Sequence, residues 1–106
     1  METIQKLFDD TKIIIHDRCG CCGEIDFISK NISINNCWEP NVTSAIIELL
    51  SKNNNNIFFD IGANIGYYSL VSSKYCKKVY AFDANSKNID MLEKSIILNK
   101  IGRAHV

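Results

Sequence analysis

The chain has 106 residues, of which 46% are hydrophobic, and its formal net charge at pH 7 is zero. The lysines are scattered and no apolar run reaches the ~18 residues that span a bilayer, so neither a nucleic-acid partner nor a membrane partner is indicated. The composition is that of a soluble globular protein, and because Met1 to Asp10 shows no signal-peptide pattern we expect it in the cytoplasm.

Residues 1–37 are predicted to form an N-terminal helix followed by a small β-meander. Ile4, Leu7 and Phe8 fall on one face of a helix over Met1 to Asp10. Short apolar runs separated by Gly, Asn and Asp predict the strands of the meander. These strands are Lys12 to His16, Glu24 to Ser29 and Asn31 to Ile34.

The sequence contains five cysteines, an odd number that argues against a complete disulfide framework. They are Cys19, Cys21, Cys22, Cys37 and Cys76. The cluster that starts at Cys19, with His16 or Cys37 nearby, raises the alternative of a zinc site. Because it lacks paired C-x₂₋₄-C knuckles, we instead expect reduced thiols, no metal site and a glycine-rich turn.

The next element is a helix that begins near Pro40, a residue suited to the first turn. Apolar residues recur at helical spacing from Val42 to Leu50. Trp38 and Glu39 lie directly before this helix, and helix entry alone accounts for them. A polar loop over residues 51–56 then leads to the next apolar run.

That run, Ile57 to Phe59, predicts a strand covered on both faces, as in a parallel sheet, and Asp60 stands at its end. Gly62 is able to take a positive φ and bring the main chain close to a ligand, and Asn64 tolerates left-handed backbone. Gly66 allows the following helix to pack tightly on the strand. This strand, turn and helix together predict a site for a nucleotide-like ligand.

The spacing of the small residues favours S-adenosylmethionine (SAM) over a dinucleotide. Gly62, Asn64 and Gly66 occupy every second position, whereas a dinucleotide site has G-x-G-x-x-G. SAM carries a sulfonium cation and an amino group, so that the carboxylate of Asp60, acting directly or through water, favours it. A nicotinamide-dependent oxidoreductase remains the alternative enzyme.

A second buried strand, Val79 to Phe82, ends in Asp83. Asp83 follows Asp60 by 23 residues, which is close to the ~20 expected for an acidic residue that binds ribose hydroxyls. A helix over Ser86 to Lys100 comes next, with Asn85 or Ser86 as its N-cap. The two strand tips therefore predict a ribose clamp beside the glycine turn.

Four segments of the chain resemble the FkbM-type family of SAM-dependent methyltransferases. They are Trp38-Glu39-Pro40, Asp60 to Ser69, Val79 to Asn85 and Leu92 to Asn99. Two residues depart from the family pattern: Asp83 stands where Glu is usual, and Ala84 where Pro is usual. The resemblance implies the first two parallel strands and the helices of a Rossmann-like class I methyltransferase sheet, an α/β fold.

The same resemblance implies methyl transfer from SAM to a hydroxyl of a sugar or another small molecule. The residues it implies for the cofactor are Asp60, Gly62, Ala63, Asn64, Gly66, Asp83, Ala84 and Glu39. Glu39 would meet the amino group of SAM. No general base is assigned, because His16 is remote in sequence from the turn and is expected to be structural.

The domain organisation expected from this resemblance has three parts. Residues 1–37 form the N-terminal element, residues 38–100 form the N-terminal half of the SAM-binding domain, and residues 101–106 are a non-native tail. The tail departs from the family pattern and matches one translated frame of a sequencing adapter. We therefore expect an N-terminal fragment, inactive alone and of open oligomeric state. The alternative of a different class is a non-catalytic interaction module that uses unpaired strand edges.

Overall fold

The computed structural model describes residues 2–16, 26–53, 55–102 and 104–106. These residues form an antiparallel hairpin, a three-stranded parallel sheet and four helices. The elements in chain order are β1 (Glu2–Lys6), β2 (Lys12–His16), α1 (Phe27–Asn35), α2 (Pro40–Ser51), β3 (Ile57–Ile61), α3 (Tyr67–Ser72), β4 (Lys78–Phe82), α4 (Ser86–Leu98) and β5 (Ala104–His105).

The N-terminal segment is a strand, so the predicted helix over Met1 to Asp10 is wrong. β1 pairs antiparallel with β2 and leaves Ile4 exposed. The other edge of β2 is bonded to α4: the Ile14 amide donates to Ser95 Oγ at 3.0 Å and the Lys12 amide to Asn99 Oδ1 at 2.8 Å. Tertiary pairing of β1 therefore overrides its helical periodicity. The strand predicted over Lys12 to His16 is confirmed.

α1 replaces the remaining strands of the predicted meander. The side chain of Asp26 caps this helix by accepting a hydrogen bond of 2.9 Å from the Ser29 amide, and Asn36 ends it in a left-handed conformation. Ile32 is fully buried on its inner face. The strands predicted over Asn31 to Ile34 and over the described part of Glu24 to Ser29 are therefore wrong.

The parallel sheet has the strand order β3-β4-β5, which confirms the predicted α/β class. β3 pairs with β4 from Ile57 opposite Lys78 to Ile61 opposite Phe82. β5 pairs with β4 through Ala104 opposite Val79. This third strand lies in the segment expected to add none, so the sheet is larger by one strand than predicted.

The described residues cover only one face of the sheet. Val79 and Ala81 are buried on this face, and Ala81 packs with buried residues of α3 and α4. On the opposite face, Ile57 is 56% and Phe59 is 62% exposed, and Phe82 is half-exposed. The prediction that β3 is covered on both faces is therefore wrong for this structure.

A buried hydroxyl network joins α2 to α3 next to the turn after β3. Thr43 Oγ1 donates to the Trp38 carbonyl at 2.7 Å and lies 3.0 Å from Tyr67 Oη. Cys37 Sγ lies 3.2 Å from the same phenol oxygen. Since buried polar groups need partners, this network fixes the approach of residues 37–39 to α3. Within the described ranges, no helix has both the length and the apolar character needed to cross a bilayer.

Candidate cofactor site

The turn between β3 and α3 has the backbone conformation that its small residues predict. Gly62, Asn64 and Gly66 have φ of 75°, 54° and 96°. The amides of Gly62 and Ala63 both donate to the Phe82 carbonyl, at 2.8 and 2.9 Å. The turn is therefore held against the end of β4, the neighbouring strand.

The two glycines serve different purposes. A Cβ on Gly66 would lie 3.0 Å from Leu92 Cγ, so Gly66 permits close packing of the turn against α4 rather than against β3 as predicted. A Cβ on Gly62 would meet nothing within 4 Å. Gly62 therefore presents bare backbone to open space, which is the side from which a ligand can approach it.

Asp83 connects the tips of β3 and β4. Its Oδ2 accepts a 2.8 Å hydrogen bond from the Asn64 amide in the turn. Its Oδ1 accepts from the Asn85 amide at 2.8 Å and from Asn88 Nδ2 at 3.3 Å. The amides of Asn85 and Asn64 and the Asn88 side chain hold the pKa of the Asp83 carboxyl below its ordinary value, against some desolvation. Asp83 is therefore an ionised carboxylate at the point where the two strand tips meet.

Asp60 lies beneath the turn rather than on its open side. It is buried, and its Oδ2 accepts a 2.7 Å hydrogen bond from Ser69 Oγ in α3. Burial raises the pKa of this carboxyl, an effect that the Ser69 bonds oppose. Asp60 thus has one oxygen committed to α3, and any contact with a ligand would use the other oxygen.

Glu39 lies across the turn from Asp83, at the start of α2. Its φ is 43°, and its carbonyl accepts from the Thr43 amide at 2.9 Å. Its Oε1 accepts a 2.5 Å hydrogen bond from Tyr68 Oη. Burial, and then the neighbouring carboxylate, raise the pKa of Tyr68, so the phenol stays protonated and donates. The positive φ and this bond together fix the carboxylate beside the turn.

Two cavities meet at Gly62. The larger, about 550 Å³, lies between the strand tips. It is lined by Ile61, Gly62, Ala81, Phe82, Asp83, Ala84, Ile89 and Val106. The smaller, about 220 Å³, lies under the segment that precedes α2. It is lined by Ile28, Trp38, Glu39, Gly62, Ala63, Asn64, Ile65, Tyr67 and Tyr68. A ligand that crosses the Gly62 backbone would therefore occupy both.

The structure brings six of the eight predicted cofactor residues to these cavities. Asp83 and Ala84 line the larger, Glu39, Ala63 and Asn64 line the smaller, and Gly62 lines both. Asp60 and Gly66 support the turn from behind.

The linings also contain residues outside the predicted cofactor set, and Ile89 and Tyr68 are two of them. Ile89 forms part of the larger cavity, and Tyr68 bonds to Glu39 in the smaller. Ile89 lies one helical turn after Asn85, the N-cap of α4. Its position so soon after the tip of β4 was the sequence signal that could have placed it in the cavity. Tyr68 follows the turn directly, but an aromatic residue at helical spacing is more often part of the core, so its sequence position alone does not indicate a site.

The cysteine cluster at residues 19, 21 and 22 lies outside the described residues. Among the residues that the structure does describe, no group of three or more His, Cys, Asp or Glu side chains is placed to hold a metal ion. A separate hollow of about 450 Å³, near Thr11 and Lys74, contains none of the predicted site residues.

No protein-family model and no curated protein matches the sequence. Solved structures with the same fold include Trm5b from Pyrococcus abyssi, with 20% identity over 98% of this chain and a TM-score of 0.64. Trm5 from Methanocaldococcus jannaschii, in complex with adenosine, has 22% identity over 99% of the chain and a TM-score of 0.63. YcgJ from Bacillus subtilis has 16% identity over 63% and a TM-score of 0.58.

The matched region spans 29%, 27% and 28% of the YcgJ, Trm5b and Trm5 chains. At 16%, 20% and 22% identity, this likeness establishes the fold. The chain has the Rossmann-like fold of class I methyltransferases.

Proposed function

We propose that the chain binds SAM across the tips of β3 and β4 and forms part of a methyltransferase of the FkbM type. The observation that carries the proposal is the hydrogen bond from the Asn64 amide to Asp83 Oδ2, which brings the two tips together beside an open Gly62. One of the structures with this fold is a complex with adenosine, which is the nucleoside portion of SAM. The chain matches only 27 to 29% of those structures, so the activity of a whole enzyme belongs to the proposal.

The larger cavity fits the adenosine half of SAM. Its walls are apolar at Phe82, Ala84 and Ile89, as suits a purine, and Asp83 supplies a side-chain carboxylate. A carboxylate accepts about four hydrogen bonds in all, and Asp83 already accepts three. The Asn88 bond, at 3.3 Å, is the longest of these three. Ribose hydroxyls would donate to the remaining lone pair of the Asp83 carboxylate and would replace the hydrogen bond from Asn88.

The smaller cavity fits the amino-acid half of SAM. Glu39 supplies a carboxylate for the ammonium group, and Trp38 and Tyr68 supply aromatic surface next to it. Cations are attracted both by carboxylates and by the faces of aromatic rings. Bound SAM supplies an electrophilic methyl group on its sulfonium. The protein residues bind and orient this donor, since proximity and alignment account for much of the rate of such transfers.

The acceptor that we propose is a hydroxyl of a sugar or another small molecule, which rests on the resemblance to the FkbM family. A nucleic-acid acceptor is disfavoured by the zero net charge and the scattered lysines. A small-molecule acceptor is consistent with cavities of a few hundred Å³ at the turn.

The proposal is tested by isothermal titration of the 106-residue chain with SAM, with its demethylated product S-adenosylhomocysteine and with NAD. We expect both adenosyl ligands to bind and NAD not to saturate. NAD binding tighter than SAM would favour the oxidoreductase alternative. Binding of none of the three by a chain that remains folded would refute the cofactor assignment.

A second candidate, a non-catalytic interaction module, is favoured by the uncovered face of the sheet. Ile57, Phe59 and Phe82 lie together on that face, and the outer edge of β3 has no strand beside it among the described residues. An apolar face and an open strand edge are both features that pair with other chains. Folding that requires a second polypeptide, together with no SAM binding, would favour this candidate.

A further inference from the structure

A third cavity, of about 380 Å³, adjoins the proposed cofactor site. It is lined by His16, Asp26, Phe27, Ile28, Asn64, Ile65, Asn85 and Asn88. It shares Ile28, Asn64 and Ile65 with the smaller cavity, which in turn shares Gly62 with the larger one. The three cavities therefore follow one another along the turn, and a cofactor in the first two leaves the third for another molecule.

The amide side chains of this cavity have unused hydrogen-bond donors. Asn64 Oδ1 accepts from the Ile65 amide at 2.8 Å, and Asn85 Oδ1 accepts from the Lys87 amide at 2.9 Å. These bonds fix both side chains through their oxygens. Within the described residues, the Nδ2 groups of Asn64 and Asn85 donate to nothing, so both are available to a ligand oxygen.

Other residues of the lining supply acceptors. Asp26 uses Oδ1 to cap α1, at 2.9 Å from the Ser29 amide, and leaves Oδ2 available among the described contacts. His16 adds an imidazole, which both donates and accepts. A lining that offers both donors and acceptors suits a hydroxyl group, because a hydroxyl uses both kinds of partner.

The charge and the aromatic surface of the cavity narrow the class of ligand. Among the described residues, the lining includes the carboxylate of Asp26 and no lysine or arginine, and these residues disfavour an anion. Phe27 is 72% exposed, and its ring makes an edge contact with Trp38, with centroids 5.7 Å apart. A flat apolar ring next to polar groups suits a ligand with one apolar face and several hydroxyls, such as a sugar ring.

We propose that this cavity binds a neutral, hydroxyl-rich small molecule of the size of a monosaccharide. Its role as the methyl-acceptor site rests on the proposed function, whereas the binding itself does not. Asn64 belongs to both the cofactor cavity and this one, so the two molecules would lie next to each other. Asp26, Phe27 and Asn85 are the residues that we assign to recognition.

The test is an NMR titration of the ¹⁵N-labelled chain with glucose, galactose and mannose, and with glucuronate as the anionic comparison. We expect the neutral sugars to shift the amides of Phe27, Ile28 and Asn85 more than glucuronate does. Phe27→Ala should weaken sugar binding about tenfold through loss of stacking area. Phe59→Ala, which removes another largely exposed phenylalanine from the sheet face, should leave sugar binding unchanged. Asn85→Ser keeps an N-cap for α4 and should weaken binding by removing one donor.

The results separate this inference from the proposed function. Sugar binding that depends on Phe27 without any SAM binding would support the cavity assignment and refute the cofactor site. SAM binding with no sugar-induced shift at this cavity would overturn the inference alone. Equal losses of sugar affinity in Phe27→Ala and Phe59→Ala would also overturn it, because the effect would then not be specific to the cavity.

Discussion

Replacing Asp83 with asparagine tests the contact that joins the two strand tips. The substitution keeps the shape of the side chain, but an NH₂ group replaces one of two oxygens that accept from the Asn64 and Asn85 amides at 2.8 Å. The main-chain amide of either Asn64 or Asn85 would then face the new NH₂ group, which is also a donor. Losing a hydrogen bond to a charged group costs about 1.5–3 kcal/mol, and because Asp83 is partly solvated we expect the lower end, about 1–2 kcal/mol.

This loss should lower Tm by about 8 °C in a domain of this size. Urea unfolding followed by circular dichroism measures the free energy of unfolding directly. Asp90→Asn is the matched control, because Asp90 is an exposed carboxylate of α4 with no hydrogen bond among the described residues. We expect this control to stay within about 0.5 kcal/mol of the parent chain.

The difference in free energy of unfolding between the parent chain and Asp83→Asn should also depend on pH. Because the pKa of Asp83 is lower in the folded chain than its ordinary value of 3.8, its carboxylate stabilises the fold fully above that value. The contribution is lost as the pH falls through the folded-state pKa. The difference between the parent chain and Asp83→Asn should therefore be constant from pH 7 to 5 and shrink below pH 4. A free energy of unfolding unchanged by Asp83→Asn at pH 7, or a difference that grows in acid, would refute the role assigned to Asp83.

Three further predictions concern the residues around the turn. Gly66→Ala should destabilise the fold by about 3 kcal/mol or more in urea unfolding, because Gly66 has a positive φ and an added Cβ would overlap a buried leucine of α4. Gly62→Ala has only the cost of a positive φ and should destabilise the fold by about 1–2 kcal/mol. Equal costs for the two variants would contradict the packing of Gly66 against α4. Asp60→Asn should raise Tm at pH 7, because it removes a buried carboxylate of raised pKa, and this gain in Tm should fade in acid as the parent carboxylate becomes protonated. The same variant should bind SAM more weakly in calorimetry. A lower Tm at pH 7 would contradict this account. Tyr68→Phe should cost about 1 kcal/mol by removing the bond to Glu39. Because burial raises the pKa of both Tyr67 and Tyr68, ultraviolet titration of the variant should lose one of the phenols that ionise at unusually high pH, and loss of an ordinary phenol would count against this account.

The conformation of the turn between β3 and α3 could be predicted from sequence because its constraints are local. Positive φ at Gly62 and Gly66 follows from the lack of a Cβ, and the spacing of Asp60 and Asp83 follows from one strand, turn and helix. The contact of Gly66 with Leu92 could not be predicted in this way. It depends on how α4 lies across the turn, which is a tertiary relation.

The N-terminal errors have a common physical cause. In the segment from Phe27 to Asn35, short apolar runs separated by polar residues predicted strands, whereas Asp26 provides an N-cap and Ile28 and Ile32 lie at helical spacing. Over Glu2–Lys6 the apolar spacing predicted a helix, but the segment is a strand because pairing with β2 outweighed that pattern. Local propensity is a weak prior where a capping residue or a strand partner competes with it.

The exposed face of the sheet is where the sequence and the structure disagree most informatively. The apolar pattern of Ile57 to Phe59 is that of a strand buried on both sides, and parallel sheets occur almost only with both faces covered. In the structure α3 lies against one face, while Phe59 on the other contacts the rings of Tyr80 and Phe82 and otherwise faces solvent. These aromatic contacts bury only part of the face, so its apolar area still favours association. The sequence of β3 is therefore suited to a sheet with a second covering layer. The polypeptide that supplies this layer would also lie against Ile61 and Phe82, which line the proposed adenosine cavity.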